Sequence, residues 1–131
     1  MAISPQHRQL VDTTTDPPSL CGGECTACGH RFFPYQSHGC EKCGGHGHTL
    51  RPIRLRAEGV LLGSVVVRHH GGKILDEPFT LARVRLEPGI AVRAVLSGED
   101  LDPPIGAHLL GTLVPIEGSE DVELRFRPVA P

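Results

Sequence analysis

From Leu50 onward, apolar and polar positions alternate with a period of two. Ile53, Leu55 and Ala57 fall on one face, and Arg54, Arg56 and Glu58 on the other, the pattern of a half-buried strand. Residues 60–68 (VLLGSVVVR) form a β-branched run broken by Gly63, which predicts a strand with a bulge or sharp coil. In residues 79–86, Ala82, Val84 and Leu86 alternate with Arg83 and Arg85, and the Pro88-Gly89 pair that follows predicts a tight turn. Further strands are predicted over 90–97 and 108–116. The last, over 122–127, has the cleanest pattern, with Val122, Leu124 and Phe126 facing in and Glu123, Arg125 and Arg127 facing out.

Counted from Val60, this gives five strands, with a longer connection (GEDLDPPIG) between the third and fourth. That is the outline of an OB-fold, a five-stranded Greek-key barrel; another small barrel or sandwich fits the strand pattern alone. Composition agrees with a mainly β chain. The 131 residues include 16 Gly and 12 Pro but no Trp and one Tyr, so turns are frequent and large aromatic anchors few. Ahead of the strands, Ser4 and Pro5 stand at cap and first-turn positions before residues 6–11, a signal for a short helix. The Thr13-Thr14-Thr15-Asp16-Pro17-Pro18 run after it has the character of a linker that orders on a partner. The expected division is a lead-in over 1–20, a metal-binding ribbon over 21–49 and the barrel over 50–131.

The ribbon is expected from the cysteines, all of which lie between positions 21 and 43. Cys25-x-x-Cys28 and Cys40-x-x-Cys43 are separated by eleven residues, and each pair is followed directly by a glycine, Gly29 or Gly44. Two such turns can present four thiolates to one tetrahedral ion. About thirty residues with few large apolar side chains cannot hold together by burial alone, whereas a structural zinc site contributes on the order of 10 kcal/mol. Four thiolates also leave no open position for a water nucleophile, so the expected Zn²⁺ is structural. The spacing does not separate it from iron. A redox pair or two disulfides would fit less well, because there is no thioredoxin-like βαβ pattern and no secretion signal. Cys21 is expected to be a non-ligand. His30, His38, His46 and His48 are expected to be loop side chains rather than ligands, and the His69-His70 pair an exposed loop feature. Arg51, Arg54 and Arg56 form either a solvated strand face or part of a surface for an anion.

The combination resembles a known family, the acyl-CoA-associated OB-fold proteins with an N-terminal rubredoxin-like zinc ribbon. The resemblance covers residues 20–131. It is carried by Leu20, the knuckle Cys25-x-x-Cys28-Gly29, the Phe32-Phe33-Pro34 run, the knuckle Cys40-x-x-Cys43-Gly44, Gly63 and the closing Phe126-Arg127-Pro128. Members of that family are accessory subunits of thiolase-superfamily enzymes, either thiolases or the retro-aldolases (lyases) of steroid side-chain degradation. The resemblance implies a non-catalytic zinc-binding subunit that helps shape the acyl-CoA channel of a larger thiolase-fold partner in a hetero-oligomer. The family often has a longer helical lead than the twenty residues that precede the ribbon here.

The main competing function is nucleic-acid binding, common to zinc ribbons and OB-folds alike. Charge disfavours it. Residues 1–56 hold six basic and four acidic side chains, and residues 57–131 hold seven and eleven. The second and third barrel strands offer only Phe79 for stacking, and the loop before the last strand carries Glu117, Glu120 and Asp121. The chain contains no G-x-S-x-G, H-E-x-x-H or phosphate-binding glycine signature, so a stand-alone enzyme is disfavoured too. No stretch approaches the roughly 18 apolar residues of a membrane span, and the opening MAISPQHRQLVD has neither the basic end nor the apolar run of a secretory signal. The expectation is a soluble, cytoplasmic protein.

Overall fold

A computed structural model describes residues 10–68, 78–116 and 118–129. Among the described residues the fold is mainly β, with nine strands in two sheets: β1 (Val11–Asp12), β2 (Ser19–Cys25), β3 (Arg31–Phe32), β4 (Leu50–Arg56), β5 (Glu58–Val67), β6 (Phe79–Glu87), β7 (Ile90–Val95), β8 (His108–Pro115) and β9 (Val122–Pro128). One turn of 3₁₀-helix, Gly47–Thr49, precedes β4. Among the described residues, no helix is long and apolar enough to cross a membrane.

The larger sheet has the order β7-β6-β5-β8-β9 and is antiparallel throughout. It curls until its two ends meet, where Leu96 and Phe126 form a parallel bridge and the Ser97 N–H donates to the Phe126 carbonyl at 2.8 Å. This is the five-stranded OB barrel that the strand pattern outlines. The register of β5 against β6 shifts between Leu61 and Gly63, so the interruption at Gly63 is a β-bulge that helps the strand coil. Gly89, at φ +85°, makes the turn from β6 to β7.

The smaller sheet joins β1, β2 and β3, with β4 lying along β2 for its whole length, from Ser19↔Arg56 to Cys25↔Leu50. The strand over Leu50–Arg56 thus belongs to the sheet that carries the knuckles, and the barrel strands begin at Glu58. One core serves both sheets. Val11, Leu20 and Leu55 of the smaller sheet bury against Leu61, Val84, Leu109 and Phe126 of the barrel.

The lead-in differs from expectation. Val11 is a strand residue in the core rather than the end of a helix, because its side chain fills the apolar space between the sheets; the rest of the helix signal lies outside the described residues. In the Thr/Pro run, Thr13, Thr14 and Asp16 are exposed, while its end packs against the fold. Pro17 and Pro18 are buried, the Pro18 carbonyl accepts from the Ala57 N–H at 3.0 Å, and the Thr15 and Ser19 hydroxyls lie 2.7 Å apart.

Where the sheets cross, the backbones come close. Gly111 of β8 donates its N–H to the Ala57 carbonyl at 2.6 Å, and a Cβ at Gly111 would lie 2.5 Å from the Ala57 Cβ. Neither atom is the far end of a flexible side chain. Gly111→Ala is therefore expected to destabilise the protein by about 1–3 kcal/mol through overpacking, measured as a lower urea midpoint at unchanged slope. Beside this crossing, the Glu58 carboxylate accepts from His108 at 2.9 Å and from Arg56 at 2.5 Å. These bonds, His108 first, hold Glu58 below its ordinary pKa. A carboxyl depressed on folding stabilises above its unfolded value of about 4.3 and loses that contribution as pH falls through the lower folded value. Glu58→Gln should accordingly flatten the loss of stability below about pH 4.3 in urea unfolding followed against pH.

Candidate metal centre

Cys25 ends β2, Cys28 and Cys40 lie in the loops between strands, and Cys43 precedes the 3₁₀ turn. Their four sulfurs all lie within 4.8 Å of one another, with Cys25 Sγ to Cys43 Sγ at 3.7 Å and Cys28 Sγ to Cys40 Sγ at 3.6 Å. Each close pair takes one cysteine from each knuckle, so the two turns interlock.

Both turns have the same backbone design. The Gly29 N–H donates to the Cys25 carbonyl at 2.7 Å and the Gly44 N–H to the Cys40 carbonyl at 2.9 Å. One residue further on the pattern repeats, with the Cys25 N–H donating to the His30 carbonyl at 2.8 Å and the Cys40 N–H to the Gly45 carbonyl at 2.6 Å. Gly29 and Gly44 stand at φ +80° and +78°, a conformation that side chains disfavour, which explains a glycine after each pair. These turns aim amide groups at sulfur. The Gly45 N–H donates to Cys43 Sγ at 3.4 Å. The N–H groups of Cys28 and Ala27 bond Cys25, and those of Cys43 and Lys42 bond Cys40.

The same amides favour thiolate. The Cys43 N–H, with that of Lys42 and the neighbouring thiols, lowers Cys40 to about 6, and the Cys28 and Ala27 N–H groups lower Cys25 against the cost of burial. At Cys28 the His30 N–H pulls the same way, but burial and the three other sulfurs outweigh it and raise the thiol to about 12. Four negative sulfurs this close repel one another unless a cation lies between them. The donor set fits a soft tetrahedral divalent ion, which Cys25, Cys28, Cys40 and Cys43 would hold with no position left for substrate. Cys25 and Cys40 are buried, whereas Cys28 and Cys43 face outward.

The remaining candidates fall elsewhere. Cys21 sits in β2 opposite Arg54, outside the sulfur cluster, and burial, followed by the nearby Asp12 carboxylate, raises its thiol. His38, His46 and His48 are exposed. His30 stacks on Phe32 with ring centroids 5.9 Å apart, and its Nε2 lies 2.8 Å from Glu41 Oε1, clasping the first knuckle to the second. His69 and His70 lie outside the described residues. Arg51 pairs with Glu24, Arg54 with Asp12 at 2.8 Å and Arg56 with Glu58, so all three arginines are matched by carboxylates within the chain. Of the bridges that sequence reasoning missed, one joins the two sheets: Arg31 reaches Glu24 of the smaller sheet at 3.4 Å and Glu87 of the barrel at 2.8 Å. No local pattern connects positions 31 and 87. A cavity of about 290 Å³ also opens between Val11, Leu20 and Phe33 on one side and Val92, Leu124 and Phe126 of the barrel on the other.

Among solved structures, the chain is similar to a chain of the Ltp2-ChsH2(DUF35) aldolase, with a TM-score of 0.70 and 21% identity over 86% of this chain and 86% of that one. At that identity the likeness is one of fold. No family model and no curated protein matches the chain.

Cys28→Ala and Cys40→Ala should each abolish stoichiometric metal binding and melt the knuckles. The barrel's β signal should persist, since its core lies in a cluster separate from Cys25, Cys40 and Leu50. Elemental analysis alongside circular dichroism checks both parts. Retention of one equivalent of metal by either variant would contradict the assignment.

Proposed function

We propose that the chain is a non-catalytic accessory subunit of the acyl-CoA-associated OB-fold family, a structural Zn²⁺ being held by Cys25, Cys28, Cys40 and Cys43. Its partner in this reading is a thiolase-fold enzyme acting on acyl-CoA thioesters, most simply a retro-aldolase of steroid side-chain degradation, with a thiolase as the related alternative. The subunit shapes the CoA-ester channel and stabilises the larger chain, which supplies the nucleophile and the acid–base groups. The observation that carries the reading is the likeness in fold to a chain of the Ltp2-ChsH2(DUF35) aldolase over 86% of both chains.

One physical point supports it. Four sulfurs around one ion stabilise a fold but leave that ion no open position for chemistry. A cytoplasmic setting, where thiols stay reduced, would keep the four cysteines available to the ion.

Co-expression with the thiolase-like large subunit is expected to give a hetero-oligomer that survives size-exclusion chromatography, and an aldolase or thiolase activity that the large subunit lacks alone. Separate elution together with full activity of the unaided large subunit would refute the proposal.

A further inference from the structure

The arginines among the described residues fall into two groups. Arg31, Arg51, Arg54, Arg56 and Arg125 each contact a carboxylate within the protein. Arg68, Arg83, Arg85, Arg93 and Arg127 have no ion pair among the described residues, although all five are exposed. Of these, Arg83, Arg85 and Arg93 share one face. Ala82 and Val84 of β6 point into the core at 2% and 0% exposure, so the intervening Arg83 and Arg85 point outward. Arg93 of β7 is the residue directly opposite Arg83.

Like charges directly opposite across an antiparallel pair are destabilising, with Cβ atoms about 4.5–5.5 Å apart. The chain carries 15 acidic residues and sets carboxylates against five of its other arginines, so two arginines placed directly opposite each other stand out. The carboxylates nearest along the strands are engaged already, Glu58 by Arg56 and His108 and Glu87 by Arg31. On the other flank of Arg83 the β5 neighbour is Gly63, and no atom lies within 4 Å of where its Cβ would be, which leaves room over the guanidinium. One row further on, Val65 faces Leu81 at 56% exposure, and Leu62, beside the bulge, is 37% exposed.

We propose that the outer face of β6 and β7, centred on Arg83, Arg85 and Arg93 and edged by Leu62 and Val65, is a docking surface for a carboxylate-rich patch on a protein partner. Guanidinium forks bind carboxylates in bidentate fashion, and arginines beside aliphatic side chains are the composition of protein interfaces. A nucleic acid would need stacking platforms; Phe79 and Phe126 are buried in the barrel, and Glu99, Asp100 and Asp102 populate the connection from β7 to β8. The biological partner rests on the accessory-subunit reading; the acidic chemistry of the docking site rests on the arginines themselves.

Titration of the metal-loaded chain with a hexaglutamate peptide, followed by amide NMR, is expected to shift residues 81–85 and 91–95. Arg83→Glu/Arg93→Glu should weaken the interaction by roughly tenfold or more at unchanged metal content, and the charge-neutral Arg83→Gln/Arg93→Gln should weaken it in the same direction. Shifts that map elsewhere, or tighter binding at this face of oligothymidylate or inorganic pyrophosphate than of the peptide, would overturn the inference. In the co-expression experiment, a charge-reversed chain that still assembles with the large subunit as well as wild type does would sink the docking surface and spare the accessory role. A wild-type chain that binds the peptide at this face but never assembles would do the opposite.

Discussion

Four sulfurs within 4.8 Å of one another are an electrostatic demand as much as a structural feature. Backbone amides push Cys25 and Cys40 toward thiolate while the crowding pushes Cys28 the other way, a conflict that a shared cation resolves. The surrounding segment has little else to hold it. Its own buried cluster is Cys25, Cys40 and Leu50, with Phe32 packed alongside, so ligation of an ion by the four sulfurs would carry what a core of several large side chains carries in a bigger domain. The two-fold repetition of amide, carbonyl and sulfur around the knuckles follows from the same need, since each turn delivers two of the four sulfurs.

The knuckles and the barrel are tied by continuous strands rather than by a linker. β2 and β4 run from the sulfur cluster at Cys25 and Leu50 to the shared core at Leu20 and Leu55. Ala57 and Gly111, both small, let the second sheet begin within hydrogen-bonding distance of the first. The consequence is a two-sheet body with chemically distinct ends, a sulfur cluster at one and a curled barrel at the other.

Much of this was legible locally. The alternation of Val122, Leu124 and Phe126 with charged residues, the bulge at Gly63 and the turn at Gly89 each follow from a few adjacent positions, and the sulfur cluster follows from the spacing of four cysteines. What was not legible depends on register between distant strands. That Leu50–Arg56 lies along β2 fixes Arg51 against Glu24, and that β7 lies along β6 sets Arg93 against Arg83; neither pairing leaves a mark within one segment. Val11 was misread for a related reason. A strand of two residues has no periodicity to detect, and only the apolar gap between the sheets decides its conformation.

The bridge from Glu24 through Arg31 to Glu87 spans the two sheets at the surface, some distance from the core that joins them. Burial is non-directional, so the shared core sets how near the sheets lie but does little to resist twisting about their contact. The guanidinium acts as an outrigger against that torsion. Because its members are partly exposed, added salt weakens the brace and leaves the core untouched. Ionic strength would then tune the torsional stiffness of the molecule separately from its cohesion.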